Sequence, residues 1–467
     1  MEEIKNKLSQ IKLGEIESYV KKMMNDGKIP GISIVIVEGD KTIYKRGYEY
    51  SRIKSRTNVS NLTLFELGST SKAFTALAIL KLEKEGAIKF DDSADKYIPW
   101  LKIKYMRKEE KISIKHLIEH TSGIRFESID KIPATKSENA LEETVKTLVG
   151  QELKFSPGKK FSYASINYDV LGLIIKNVTG RSFEEYIENE ILKPLGLNNT
   201  YLFRENLTQE QMADGYKVGF KIPLLYEAPI YRGNTPAGYF ITNIDDMERW
   251  IKIQLGVIEV PSVYAELIKK SHEANRNLPL NSDRSLYNYG WFIFEDGKIA
   301  QHGNNPNFSS SVVMRKNEKL GVMVLANMNS KYATDIPDGV VDILMDKAPK
   351  ETYSDRNRKI DNICTAIIVG NIIVSFITLK FQLLGLIGRQ RLRFHINGIM
   401  DFSAFISSLV LICLVVYCLC NIPRFYRRVS WKFAYIWTPI TLFIAALLSG
   451  ITTILLYIYF LFTYFGV

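Results

Sequence analysis

The first 361 residues alternate β-branched runs with helix-period patterns, and the remainder is almost continuously apolar. Residues 32–37 (ISIVIV) predict a strand, and residues 42–48 predict a second. Glu38-Gly39-Asp40-Lys41 between them predicts a hairpin. After Leu64 to Leu67, apolar residues recur at Ala73, Phe74, Leu77, Ala78, Leu80 and Leu82, which is a helical spacing. Glu83-Lys84-Glu85 closes that run, and Gly86 stands where a helix C-terminus favours glycine. Residues 141–148 and 170–178 carry further helical patches. Residues 310–315 and 320–326 flank Lys316-Asn317-Glu318-Lys319 as a late hairpin. Ile4, Leu8, Ile11 and Ile16 among charges predict an amphipathic N-terminal helix rather than a signal peptide. Strands early, helices between and strands late predict an α/β or α+β domain whose sheet is built from both chain ends.

A bilayer span takes about 20 mostly apolar residues. Residues 363–379 are short but uncharged, Phe402–Cys420 is unambiguous, and residues 433–467 exceed the length of one span. An all-α transmembrane region of about three helices is expected over 362–467, after a domain at 1–350 and a linker at 351–361. Residues 381–388 form an apolar run that could dip into the interface. Basic clusters at Arg389, Arg391 and Arg393 and at Arg424, Arg427, Arg428 and Lys432 separate the spans. Counting loop charges puts seven basic residues on the side of the N-terminal domain and four on the other, which favours that domain inside.

Charge changes the picture mainly by exclusion. From Asn362 onward eight basic residues face Asp401 alone, so the tail holds +7 of the chain's +11 and residues 1–361 hold only +4. The mixed charge of the folded part gives no basic stripe for nucleic acid. All four cysteines (Cys364, Cys413, Cys418, Cys420) lie in the tail, so the first 363 residues hold no disulfide framework and no thiolate metal site. His116 and His120 share an i, i+4 spacing, but the five histidines form no convincing ligand cluster, and no cofactor or metal is called for.

The tetrad S-x-x-K occurs seven times, and context must choose among them. Only Ser69 follows a strand-like run and a glycine and opens an apolar helix. A first-turn serine gains from unpaired N–H groups and the positive helix end. Lys72, three residues on, shares its face. Buried among apolar groups, Lys72 would lose basicity and could take the Ser69 proton. On these residues alone, an N-cap serine with a solvated lysine reads equally well.

Phe65-Glu66-Leu67-Gly68-Ser69-Thr70-Ser71-Lys72-Ala73-Phe74 resembles the active-site helix of class C β-lactamases and the related DD-peptidases, penicillin-binding proteins and esterases. Leu117-Ile118-Glu119-His120-Thr121-Ser122-Gly123 is similar to the family's HTSG segment. Pro157-Gly158, Phe161-Ser162-Tyr163, Pro194-Leu195-Gly196-Leu197 and Thr235-Pro236-Ala237-Gly238 follow in the family's order. The resemblance spans roughly residues 15–345 and implies an antiparallel sheet flanked by helices. It assigns Ser69 as nucleophile, Lys72 as base and Tyr163 as the phenol that assists proton transfer. Ser165 replaces the asparagine of the family's Y-x-N. Gln301-His302-Gly303 aligns with the family's K-T-G or H-x-G without a gap, which removes the cation that pairs with a substrate carboxylate and leaves His302 as a substitute or as a structural histidine. Anchoring on His302-Gly303-Asn304 instead demands a deletion. The gapless alignment gives the backbone N–H groups of Ser69 and Asn304 to the oxyanion, beside Gly303.

The resemblance implies a multi-pass serine hydrolase of the cell membrane, acting through an acyl-enzyme on a D-amino-acid peptide, a β-lactam or a related amide or ester. A cell-wall substrate would place the catalytic domain outside, against the loop charges. The altered second and third motifs keep an alternative open, a catalytically weak or inactive penicillin-binding-like sensing module. With no acidic residue inside the expected spans beyond Asp401, which sits at an edge, an ion-coupled carrier is disfavoured.

Overall fold

The computed structural model describes residues 2–464 apart from 205, 206, 209, 276–278, 282, 351–353 and 389–397. The expected basic loop at Arg389–Arg393 therefore lies outside the described residues. Two compact units are present, one of residues 1–217 and 225–355, the other of residues 218–224 and 356–467.

The main sheet of the first unit is made of β1 (Gly31–Glu38), β2 (Lys41–Arg52), β3 (Thr57–Asn58) and, after a separate hairpin of β4 (Tyr216–Gly219) and β5 (Ile222–Leu225), β6 (Leu286–Asn288), β7 (Trp291–Ile293), β8 (Lys298–Asn304), β9 (Ser309–Arg315) and β10 (Leu320–Ala326). The helices that pack on its two faces are α1 (Glu2–Gly27), α2 (Lys72–Lys84), α3 (Ile166–Thr179), α4 (Ile244–Leu255) and α5 (Lys331–Leu344). The main sheet runs β6-β7-β8-β9-β10-β1-β2-β3, and its pairings are antiparallel. The first strand pairs with the last, Ile34 opposite Val324 and Val35 opposite Met323, so the chain ends close the sheet.

This explains why residues 32–37 read as an unbroken apolar run rather than an alternation. Both faces of β1 are covered. Val35 and Val37 join Val312, Met314, Met323 and Leu325 in the core shared with α2, α3 and α4. There Ile251 and Leu255 of α4 sit against Gly321, leaving no room for a Cβ. Ile34, Ile36, Val322 and Val324 point the other way and are equally buried. On that face α5 lies over β9 and β10 and α1 lies on α5.

The second unit holds α6 (Arg356–Gly388), α7 (Ile399–Cys420), α8 (Ile422–Arg427), α9 (Trp431–Trp437) and α10 (Ile440–Tyr464). Three segments, Arg356–Leu384, Phe402–Cys420 and Ile440–Thr463, are long and apolar enough to cross a membrane. Three expectations change here. The linker at 351–361 is helical from Arg356. Residues 381–388 continue α6 instead of leaving it. Residues 433–467 break at Thr438-Pro439, which separates α9 from α10, because the residue before a proline avoids the helical region. Helices α6 and α10 are joined by polar contacts, Asn371 to Ser449 (2.9 Å), Ser375 to Thr452 (2.9 Å) and Gln382 Nε2 to the Leu455 carbonyl (3.1 Å). Side chains such as Phe376, Leu411 and Leu447 stay more than half exposed, as lipid-facing residues do.

Candidate active site

Ser69 sits in a short 3-10 turn, Gly68–Ser71, rather than in the first turn of α2 itself. The turn is clamped from both sides. Thr70 Oγ1 donates to the Leu67 carbonyl (2.8 Å), and Ser310 Oγ on β9 also donates to that carbonyl (2.5 Å). Gly68 has φ +56, and a Cβ there would lie 2.5 Å from the Asn304 nitrogen. A Cβ on Gly303 would lie 1.8 Å from the Leu67 carbonyl oxygen. Only two glycines let the serine turn and β8 touch this closely.

Lys72 is fully buried. Its ammonium donates to Ser69 Oγ at 3.0 Å and to the Ala237 carbonyl at 2.5 Å. It lies 5.2 Å from the centre of the Tyr163 ring and 5.6 Å from that of Tyr168. Burial lowers its pKa from 10.5 to about 7, and the nearby Asp169 charge opposes the fall. Asp169 is itself fully buried and pushed well above the usual carboxylate range by desolvation, against a 2.6 Å hydrogen bond from Asn234 Nδ2 and the charge of Lys72. The segment from Asn234 to Ala237 thus contacts both members, the acid at one end and the amine at the other.

Tyr163 and Ser165 precede α3, and Tyr163 is brought to Ser69 and Lys72. The Tyr163 hydroxyl is raised by burial and pulled back by its hydrogen bond with Ser69. Ser165 occupies the N-cap of α3 without using its side chain as a cap. Tyr163 is held by the His-Thr-Ser-Gly segment, whose His120 ring lies 4.2 Å away. Ser122 Oγ donates to Asn167 Oδ1 (2.9 Å), which turns the Asn167 amide nitrogen toward His120 Nδ1 (2.9 Å). Nδ1 therefore accepts and the imidazole carries its proton on Nε2. Burial and the Lys72 charge keep His120 neutral, well below its usual range.

The third motif divides. The Asn305 N–H bonds the Phe308 carbonyl (2.9 Å), which makes the neighbouring pair of Asn304 and Ser309 a non-hydrogen-bonded one. The Asn304 N–H then points away from β9, on the side where Gly68 lies. Gln301 and Gly303 share the Ser69 face of β8. Gln301 is buried and turned inward, donating to the Gly290 carbonyl (2.8 Å) and to the Tyr287 hydroxyl (3.3 Å). His302 is not brought into the site. It pairs with Ser311 and shares a face with Val324 and Ile34, opposite to Ser69. Its Nδ1 meets Ser311 Oγ at 2.8 Å, and burial lowers its pKa to about 4. The expectation of His302 as a carboxylate anchor is thus corrected by strand parity.

Sequence reasoning missed Asp169, Asn234, the Ala237 carbonyl and Tyr287, whose ring lies 4.7 Å from His120 and 5.9 Å from Tyr163. It missed as well the cavity beside the serine turn, lined by Glu66, Arg204, Tyr231, Arg232, Thr235 and Tyr239. Asn305 Nδ2 links this wall to the site, donating to Glu66 (2.7 Å) and to the Gly238 carbonyl (3.0 Å).

A sheet closed by both chain ends, with a serine and a buried lysine one turn apart beneath an insertion of helices, defines the class of penicillin-recognising serine folds. The chain belongs to the Beta-lactamase family, whose model matches residues 16–344. It is 31% identical over 455 residues to Protein flp of Staphylococcus aureus (strain COL), covering 95% of this chain and 91% of that one, so the likeness includes the apolar tail. It is 24% identical over 315 residues to Penicillin-binding protein 4* of Bacillus subtilis (strain 168), covering 63% and 67%. Among solved structures it resembles the octameric penicillin-binding protein homologue from Pyrococcus abyssi, with a TM-score of 0.65, 27% identity, and 73% and 78% coverage.

Proposed function

We propose that this protein is a membrane-anchored serine hydrolase that works through an acyl-enzyme on Ser69. The observation that carries the reading is the buried Lys72 amine, 3.0 Å from Ser69 Oγ and lowered to about 7. Lys72 takes the Ser69 proton as Oγ bonds to the substrate carbonyl carbon. The Ser69 and Asn304 N–H groups receive the oxyanion. The proton passes by way of Lys72 and Tyr163 to the departing amine or alcohol, and water releases the acyl group. The substrate class is a D-amino-acid peptide of peptidoglycan type, a β-lactam or a related amide or ester, which places the catalytic domain outside the cell membrane with α6, α7 and α10 as spans.

Labelling of the full chain by a fluorescent penicillin or a fluorophosphonate, abolished by Ser69→Ala, tests the chemistry. A D-Ala-D-Ala peptide, a chromogenic cephalosporin and a short-chain ester then separate the substrates. Protease treatment of intact cells tests the orientation, and a fully protected hydrolase domain defeats it. One observation favours a second reading, a binding or sensing module with weak turnover. Gln301 replaces the family's cation with a buried amide whose hydrogen bonds are spent inside the protein. Stoichiometric labelling without turnover of any of the three substrates decides for that reading.

A further inference from the structure

The hairpin of β4 and β5 leaves the hydrolase fold at Lys217 and rejoins it at Leu225, and its tip, residues 218–224, forms one compact unit with the C-terminal helices. Phe220 and Lys221, the two central residues of its turn, have φ +52 and +65. Positive values at both positions mark the tight two-residue hairpin turn. The backbone N–H groups of these two residues find one carboxylate. Asp361 Oδ1 accepts from the Phe220 N–H (2.9 Å) and Oδ2 from the Lys221 N–H (2.7 Å). The Thr441 hydroxyl donates to Oδ1 as well (2.8 Å). Asp361 and Thr441 are both fully buried, one near the start of α6 and the other near the start of α10. A Cβ on Gly219 would meet Ile440 at 3.3 Å.

The tip therefore lies at the end of the helix bundle where two of the apolar segments begin. The residues around it suit a membrane surface. Phe220, Ile222 and Leu225 are 40%, 54% and 64% exposed, and Lys221 is exposed between them. Helix α9, which leads directly into α10 at this end, carries Trp431, Tyr435 and Trp437, residues that favour the headgroup level. A buried carboxylate is costly in apolar surroundings unless its lone pairs are filled. Here three donors fill them, two of them from the hairpin.

We propose that the β4–β5 hairpin is a second, monotopic membrane anchor, with Phe220, Ile222 and Leu225 set in the boundary between lipid headgroups and acyl chains and Asp361 fastening the tip to α6 and α10. The proposal rests on α6 and α10 crossing the bilayer. Its partner is the lipid surface itself, because the tip is fastened where two apolar segments begin and a lysine accompanies its exposed apolar side chains.

The test uses the full chain in phosphatidylcholine and phosphatidylglycerol vesicles. Dansylalanine replaces Ile222, Leu447 of α10 or Leu62 of the hydrolase surface in three preparations. The expected result is that aqueous iodide quenches position 222 about fivefold less than position 62, while lipid brominated near the headgroup quenches position 222. If position 447 is shielded but 222 behaves like 62, the hairpin anchor is refuted and the spans stand. If 447 itself behaves like 62, the membrane reading fails first. Shielding of 222 from iodide without quenching by brominated lipid means that protein, such as a second copy, covers the tip, and this also refutes the proposal. Asp361→Ala is expected to speed hydrogen exchange of the Phe220 and Lys221 amides by about tenfold or more, and Asp361→Asn, which keeps one acceptor, by less. Unchanged exchange in Asp361→Ala overturns the fastening role.

Discussion

If the Lys72 amine is the base, the rate of Ser69 acylation follows the fraction of that amine that is neutral. At its ordinary pKa of 10.5 the neutral fraction at pH 7 would be about 3 in 10,000. Lowered to about 7, the amine is about half neutral at the same pH, a gain of roughly a thousandfold, or about 4 kcal/mol. The sign is fixed by the chemistry, since raising the pH removes the proton that blocks the base. The acylation rate constant for a fluorophosphonate should fall about fivefold from pH 7 to pH 6 and rise less than about twofold from pH 7 to pH 8. Stopped reactions resolved on denaturing gels over pH 5 to 9 measure this. The phenol of Tyr163 is raised by burial, so it stays protonated across that range and contributes no limb of its own. A profile that keeps climbing tenfold per pH unit through pH 9 would refute the argument, because it would mean an amine with ordinary basicity and hence one in contact with water.

Other expectations follow from the same geometry. Asp169→Asn removes the one charge that favours the ammonium form of Lys72, so the acid limb should move to lower pH; an unmoved limb would show that Asp169 is neutral throughout. His302→Ala, on the far face of β8, should leave the acylation rate within about twofold and cost about 1 kcal/mol of stability through the lost Ser311 bond, read by denaturant titration. Gly303→Ala would drive a Cβ into the Leu67 carbonyl, 1.8 Å away, and should cost about 3 kcal/mol or more while abolishing labelling of Ser69. Lys72→Met should stabilise the fold. The folded pKa lies below the unfolded one, so the unfolded chain binds more protons between about pH 7 and 10.5, and the penalty is full below pH 7 and fades as the pH rises. Thermal melting of the variant against the parent at pH 6 and pH 9 should show the larger gain at pH 6, up to about 5 kcal/mol.

What the sequence made legible was local. The run at 32–37 announced a strand because β-branched residues without alternation fit a strand covered on both faces, as β1 is. Ser69 stood out among seven tetrads because a glycine precedes it and an apolar helix follows, and the structure uses both features. The partners that set the chemistry were not legible, since they come from elsewhere in the chain. Ala237 reaches Lys72 across 165 positions and Asn234 reaches Asp169 across 65. Asp169 reads as one polar residue in an apolar helix, and nothing local shows that it faces an amine. The placement of His302 could have been found by parity. Gly303 must face the serine turn to let it approach, so His302, one residue away on a strand, must face the other side. Asp361 was hidden for a different reason. Its value lies in two backbone N–H groups of a hairpin 140 residues earlier, and backbone donors leave no mark on a sequence.

The same burial explains both the likeness to the family and the departures from it. Keeping water from a lysine lowers its basicity toward neutral pH, and here Tyr163 and Tyr168 lie beside the amine, with Tyr287 packed behind Tyr163 and His120. Aromatic rings exclude water while offering the amine the faces of two of them. That enclosure depends on the Tyr287 strand staying against α2, where Gly290 leaves its Cβ space to the backbone of Ala73. Gln301 bonds the Gly290 carbonyl and the Tyr287 hydroxyl, so it braces the wall around Lys72. If Gln301 stands where the resemblance puts the family's cation, it trades a charge that would meet substrate for two hydrogen bonds that hold the enclosure. The enclosure that lowers Lys72 is thereby kept, and on the proposed function what changes is how a substrate's carboxylate would be met.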